Sequence, residues 1–158
     1  MIQEIFLRLA NLGYIGIYLI SLIGSATILF PLPAATFVFL AGAILNPLIL
    51  GIVAGFGAAI GELLGYGFGF GGRKISEKRF KEKLDKAREL FEKYGGFFIL
   101  ILFAATPLPD DVVGILGGFL KYEIKKFFIA VSIGKIIFHL TLAYAGFYGI
   151  NWILNYFF

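Results

Sequence analysis

Residues 9–61 contain no Asp, Glu, Lys, Arg or His. A charge-free stretch of that length is more than twice the ~20 apolar residues that cross the ~30 Å hydrocarbon core of a bilayer, so it must hold more than one membrane-embedded element. The whole chain agrees: 15% of its 158 residues are charged and its mean hydropathy is +0.91, where an ordinary soluble domain carries about 25% charge. These properties specify an all-α polytopic membrane protein, one membrane domain over residues 1–158, multi-pass in the cell membrane. With no cysteines, a disulfide framework and a thiolate metal site are both excluded. An apolar run over 12–23 followed by Gly24-Ser25-Ala26 has the outline of a signal peptide. Glu4 offsets Arg8 where a basic cluster would stand, so cleavage is not expected.

Proline divides the apolar sequence. Pro31-Leu32-Pro33 separates a segment over 12–30 from a short one over 34–45, and Pro107-Leu108-Pro109 separates 97–105 from 110–120. Proline lacks an amide donor and disfavours helix in the residue before it, so each Pro-x-Pro predicts a broken helix. Spanning-length runs follow at 48–70 and 127–150. An offset of 76 lays Pro31 and Pro33 on Pro107 and Pro109, and Gly42 on Gly118; an offset of 77 lays Gly57 on Gly134, Glu62 on His139 and Gly69 on Gly146. The expectation is two repeats, over about 12–70 and 96–150, each a Pro-x-Pro hairpin followed by a transmembrane helix.

Between them, residues 73–94 hold nine Lys or Arg and five Asp or Glu. Phe80, Leu84, Ala87, Phe91 and Tyr94 recur every three or four positions, predicting an amphipathic surface helix with some attraction to anionic lipid. Lys121, Lys125 and Lys126 form a second basic cluster. The positive-inside rule places both clusters in the cytoplasm. The chain from 95 to 120 must then enter the membrane and return on one side as a re-entrant hairpin, broken at a depth where protein shelters the backbone. One span separates it from the first hairpin, so the repeats are expected to be inverted, as in secondary transporters.

Five ionisable residues interrupt the apolar segments: Glu62, Asp110, Asp111, Lys135 and His139. Each would cost about 2.5 to 3.5 kcal/mol facing lipid, so they are expected to face inward and pair or border water. Lys135 and His139 are four apart on one helix face and stand to meet the acids across the repeat interface. One of the two aspartates suits an N-cap. Two close carboxylates in a dry site hold a proton near neutral pH, so Glu62, Asp110 and Asp111 are the candidates for ion or proton coupling. Lys135 and His139, with Pro31, Pro33, Pro107 and Pro109 at the two helix breaks, are the candidates for substrate binding. A plain structural ion-pair network is the competing reading. No nucleophile-base set, metal motif or phosphate loop stands out, so neither catalysis nor a cofactor is expected. The net charge of +4 comes from the surface helix, not from a nucleic-acid face.

The pattern Gly57, Gly61, Glu62, Gly65, Tyr66, Gly69, Gly72 and Arg73, with a Pro-x-Pro hairpin on each side, resembles the DedA family of VTT-domain, or SNARE-associated, membrane proteins. The resemblance runs from about residue 13 to 146. It implies two opposed re-entrant hairpins and movement of phospholipid or polyprenyl-phosphate carriers between leaflets, often with dependence on the proton gradient. Membrane lipids are then the expected partners, and self-association is open. A small-solute or ion transporter using the same site and a non-transporting assembly factor are the alternatives. The topology has a direct check. Single cysteines replacing Lys83 and Lys125 are expected to react only from the cytoplasmic side; reaction of position 125 from outside would make 95–120 a spanning element.

Overall fold

A computed structural model describes residues 12–26, 34–76, 81–107 and 110–157, and among these every regular element is a helix. In chain order they are α1 (Tyr14–Ala26), α2 (Ala34–Gly42), α3 (Pro47–Ser76), α4 (Lys81–Tyr94), α5 (Gly96–Ala104), α6 (Asp110–Phe119) and α7 (Ile124–Phe157). The apolar portions of α3 and α7, Pro47–Gly72 and Ile124–Gly149, are long enough to cross a bilayer. At ~1.5 Å per residue, α1, α2, α5 and α6 reach only about 13 to 20 Å each, short of a ~30 Å core.

Pro47 stands at the first turn of α3, where its missing amide costs nothing, behind an Asn46 cap. The Asn46 side-chain oxygen accepts from the backbone amides of Leu48 and Ile49 at 3.0 and 3.3 Å. The Asn46 amide in turn donates to the Tyr14 hydroxyl at 3.0 Å, tying the start of α3 to the start of α1. The far end of α3 runs past the expected boundary at residue 73, so Arg73 and Lys74 extend it and α4 begins at Lys81. Nothing in Gly71-Gly72-Arg73-Lys74 removes a backbone donor, and the helix continues until 76. Lys125 and Lys126 likewise belong to the first turn of α7 instead of a loop. After α6 the chain turns through Lys121 at φ 53°, with Tyr122 N–H donating to Gly117 O and Lys121 N–H to Gly118 O, both at 3.0 Å. This is a Schellman C-cap closed without glycine.

The packing pairs each short helix with a long one. α1 and α6 lie on α3; α2 and α5 lie on α7; α3 and α7 lie on each other. These approaches are backbone to backbone, made possible by glycines. Gly57 faces the Tyr18 carbonyl and Gly134 the Ile101 carbonyl; Gly69 faces the backbone of Ile115 and Gly146 that of Phe39; Gly118 faces Tyr66 O and Gly42 faces Ala143 O. Each couplet repeats one contact in the two halves of the chain, and in the last two couplets the partners match at the offsets of 76 and 77. One core, with Ile17, Ile20, Val38, Leu50 and Ala143, joins α1 and α2 to α3 and α7. A second, with Leu100, Ala104, Val113, Phe127 and Val131, joins α5 and α6 to α7.

The two kinds of α3 glycine differ in what they would tolerate. A methyl at Gly69 meets the Ile115 backbone, while one at Gly67 meets nothing within 4 Å. Gly69→Ala is expected to lose about 1 to 3 kcal/mol by overpacking, and Gly67→Ala to gain up to ~1 kcal/mol of helix propensity. Unfolding titrations of both variants in one detergent check the difference.

Candidate functional site

Glu62 lies about halfway along α3, some 22 Å from Pro47 at the helical rise. It is fully buried. Its Oε1 stands 3.0 Å from Nζ of Lys135 on α7, and both side chains are inaccessible, at 1% and 3% exposure. The pair therefore bridges the two long helices inside the protein, as a charge at that depth must. His139, 5% exposed, sits one turn beyond Lys135. Its ring Nδ1–H donates to the Lys135 carbonyl at 2.8 Å, which fixes the tautomer and leaves Nε2 as the other ring nitrogen.

The register that unites Glu62 and Lys135 comes from the glycine seats. Methyls at Gly51 and Gly55 would lie 2.7 and 2.5 Å from the Cα atoms of Leu140 and Ile136. Only bare glycine lets α7 approach α3 this closely. On the opposite side the carboxylate reaches α6: a methyl at Gly114 would lie 2.7 Å from Glu62 Oε2 and 2.8 Å from the Glu62 carbonyl oxygen. Glu62 is thus the point at which α3, α6 and α7 meet.

Of the expected site residues, the structure brings Glu62, Lys135 and His139 into one buried cluster. Asp110 and Asp111 open α6, and their backbone lies one turn, about 6 Å of helical rise, before Gly114; their side chains lie outside the described residues. Pro107 occupies the exposed turn after α5, where the Thr106 hydroxyl donates to Phe103 O at 2.8 Å. Pro31, Pro33 and Pro109 also lie outside the described residues.

Three serines complete the polar interior and were not singled out as site residues in sequence. Ser21 and Ser25 on α1 are buried, and Ser25 Cβ lies 2.9 Å from where a methyl on Gly61 would stand. The hydroxyls of Ser21 and, on α7, Ser132 are buried without a hydrogen bond to the described residues. A serine inside an otherwise apolar helix was the available signal. Tyr66 has a different task. Its hydroxyl donates to Tyr122 O at 2.6 Å and its ring packs 4.9 Å from that of Phe127, so it locks α3 to the turn that enters α7.

A family model for the VTT domain matches residues 32–148. The chain belongs to the VTT-domain, or DedA, family. Among the relatives of this VTT-domain protein is an uncharacterised protein of Methanocaldococcus jannaschii. The two are 29% identical over 144 residues, which cover 87% of this chain and 86% of that one. No solved structure matches the chain. Family membership and the two long apolar helices make this a helical membrane protein. The family motif also acquires physical meaning: Gly57, Gly61, Gly65 and Gly69 seat α1 and α6 against α3, and Gly72 faces open space.

Removing one member of a buried ion pair leaves the other uncompensated, whereas replacing both with apolar groups does not. Glu62→Ala and Lys135→Ala are each expected to destabilise by about 3 to 5 kcal/mol, and Glu62→Leu with Lys135→Met by far less. A double-mutant cycle from unfolding titrations measures the coupling.

Proposed function

We propose that this VTT-domain protein is a transporter of the lipid-translocating type, multi-pass in the cell membrane, acting without covalent catalysis on a phospholipid or polyprenyl-phosphate carrier. The observation that carries the reading is the Glu62–Lys135 pair, buried where both long helices meet the hairpin helix α6. In this reading α1–α2 and α5–α6 are re-entrant hairpins entering from opposite faces, and the two halves are inverted repeats. The recurrence of the same glycine contacts in both halves supports that arrangement, as do four helices too short to span.

Coupling follows from charge balance. Protonation of Glu62 cancels one member of the pair and leaves the Lys135 ammonium without its counter-charge in a dry environment, which is costly. The next acids by backbone position are Asp110 and Asp111, one turn away on α6. Movement of α6 relative to α3 would bring them to Lys135, and Gly114 is the contact across which α6 senses Glu62. Lys135 supplies the cationic group for an anionic headgroup, with the His139 ring one turn along. The dryness of the pair favours a second reading, a structural ion pair in a non-transporting assembly factor.

Glu62→Gln separates the two, because it preserves shape while removing ionisation. Reconstituted into vesicles, this variant is expected to lose gradient-dependent flipping of a fluorescent phospholipid by at least ~10-fold while its unfolding midpoint shows that it remains folded; a 10-fold change corresponds to about 1.4 kcal/mol. Full activity with the same pH profile would leave only the structural role. Uptake of small solutes without lipid flipping would redirect the assignment to a solute carrier. Asp110→Asn and Asp111→Asn, made separately, are expected to shift the pH dependence of transport in at least one case.

A further inference from the structure

The amphipathic helix α4 and the turn into α7 are distant in sequence, yet one contact joins them. The Phe91 and Tyr122 rings meet edge to face at 5.8 Å, and both close on Gly96, where an added methyl would lie 2.5 Å from Phe91 Cδ1 and 2.8 Å from Tyr122 Cε2. Lys121 and Lys125, near Tyr122 in the chain, are exposed and so stand beside the end of α4. Lys126, next to them, is paired with Glu123 at 2.8 Å.

Phe91 covers only part of the apolar face of α4. Leu90 and Tyr94 remain 48% and 58% exposed. At about 100° per residue, Lys86, Lys93 and Tyr94 fall within about 60° of Leu90, whereas Glu89 falls about 100° away and Asp85 and Glu92 about 140° or more. Lys86 and Lys93 are exposed, and Nζ of Lys93 lies 5.2 Å from the centre of the Tyr94 ring. This open edge runs on into α5. Phe98 Cδ2 lies 3.6 Å from where a methyl on Gly95 would stand, and Phe98 and Leu102, 72% and 62% exposed, belong to the apolar outer surface of this membrane protein. Leu90 and Tyr94 therefore lie where apolar surface gives way to lysine.

We infer that this corner is an anionic-phospholipid site, with Leu90 and Tyr94 in the interfacial layer of the bilayer and Lys86, Lys93, Lys121 and Lys125 on headgroup phosphates. Lysine stems lie along apolar surface while their ammonium groups reach outward, tyrosine suits the headgroup level, and the attraction of lysine to an anionic leaflet is screened by salt. The site is composite, since the Phe91–Tyr122 contact brings two basic segments together. It requires no transport.

The absence of native cysteine allows one fluorophore per protein. With bimane on Leu90→Cys, the full chain in phosphatidylcholine vesicles is expected to be quenched by brominated phosphatidylglycerol at an at least ~10-fold lower lipid fraction than by brominated phosphatidylcholine, a preference within what four lysines supply, and high salt is expected to reduce it. Bimane on Glu92→Cys is expected to be quenched by neither lipid. Lys86→Gln with Lys93→Gln, and Lys121→Gln with Lys125→Gln, are each expected to cut the preference at least ~3-fold, with unfolding midpoints showing that both variants remain folded. Equal quenching by the two lipids would leave apolar contact without headgroup recognition, and no quenching at Leu90 would put α4 in water; either overturns the inference. A preference kept in full by the Lys121 and Lys125 variant overturns the composite site. Inorganic phosphate added to the same vesicles is expected to change nothing beyond its ionic strength; loss of the preference to phosphate but not to sodium chloride of equal ionic strength would assign the lysines to a free anion and overturn the lipid assignment.

Discussion

A helix that stopped inside hydrocarbon would leave backbone groups with no water to satisfy them, and α1, α2, α5 and α6 are each shorter than a bilayer core. Each short helix must lie against a long one, and at such contacts side chains are an obstruction. Gly57, Gly69, Gly134 and Gly146 remove it, so that carbonyls of Tyr18, Ile115, Ile101 and Phe39 approach the long helices at backbone distance. Gly57, Gly61, Gly65 and Gly69 are the places where the short helices close on α3, while Gly67, Gly71 and Gly72 face open space. Small residues let membrane helices approach where apolar burial alone gives no preference for protein over lipid.

Within that scaffold the ion pair has a double character. It joins α3 to α7 at 3.0 Å, and losing either partner would strand the other charge without water to fall back on. The same isolation makes it sensitive: a proton on Glu62 changes the local charge by a full unit where little screens it. Its neighbours are suited to transmit the change, because the carboxylate lies directly against the α6 backbone at Gly114. A bulkier residue there would hold α6 away and cut the link.

Much of this was legible in the sequence, and the unread portion has a common cause. The two long helices follow from the length of their apolar, nearly charge-free runs, a local signal. Glu62 and Lys135 stood out because an ionisable residue in an apolar run is rare. That Lys135 meets Glu62 in this register was not legible, since the choice depends on how α7 crosses α3, and that is set by Gly51 and Gly55 against Leu140 and Ile136. The offsets of 76 and 77 paired glycines in sequence but gave no hint of what each would touch. Ser21, Ser25 and Ser132 were unread because a hydroxyl in a helix need not face the interior. The end of α3 at 76 was missed because the charge boundary at 73 is a boundary of solvation and leaves the hydrogen-bond ladder intact. The left-handed turn at Lys121, which presents the Tyr122 carbonyl to Tyr66, carries no glycine to announce it.

In the repeat reading proposed above, positions 62 and 139 occupy corresponding places on α3 and α7, yet one holds an acid and the other an imidazole; the place corresponding to Lys135 is Ala58. The backbone is close to self-similar while its charges are not. A duplicated scaffold with identical halves has two arrangements of equal energy, like a coin lying on either face. Here α3 carries the negative charge and α7 the positive one, so exchanging the roles of the halves reverses a dipole buried in the middle of the molecule. The coin is weighted.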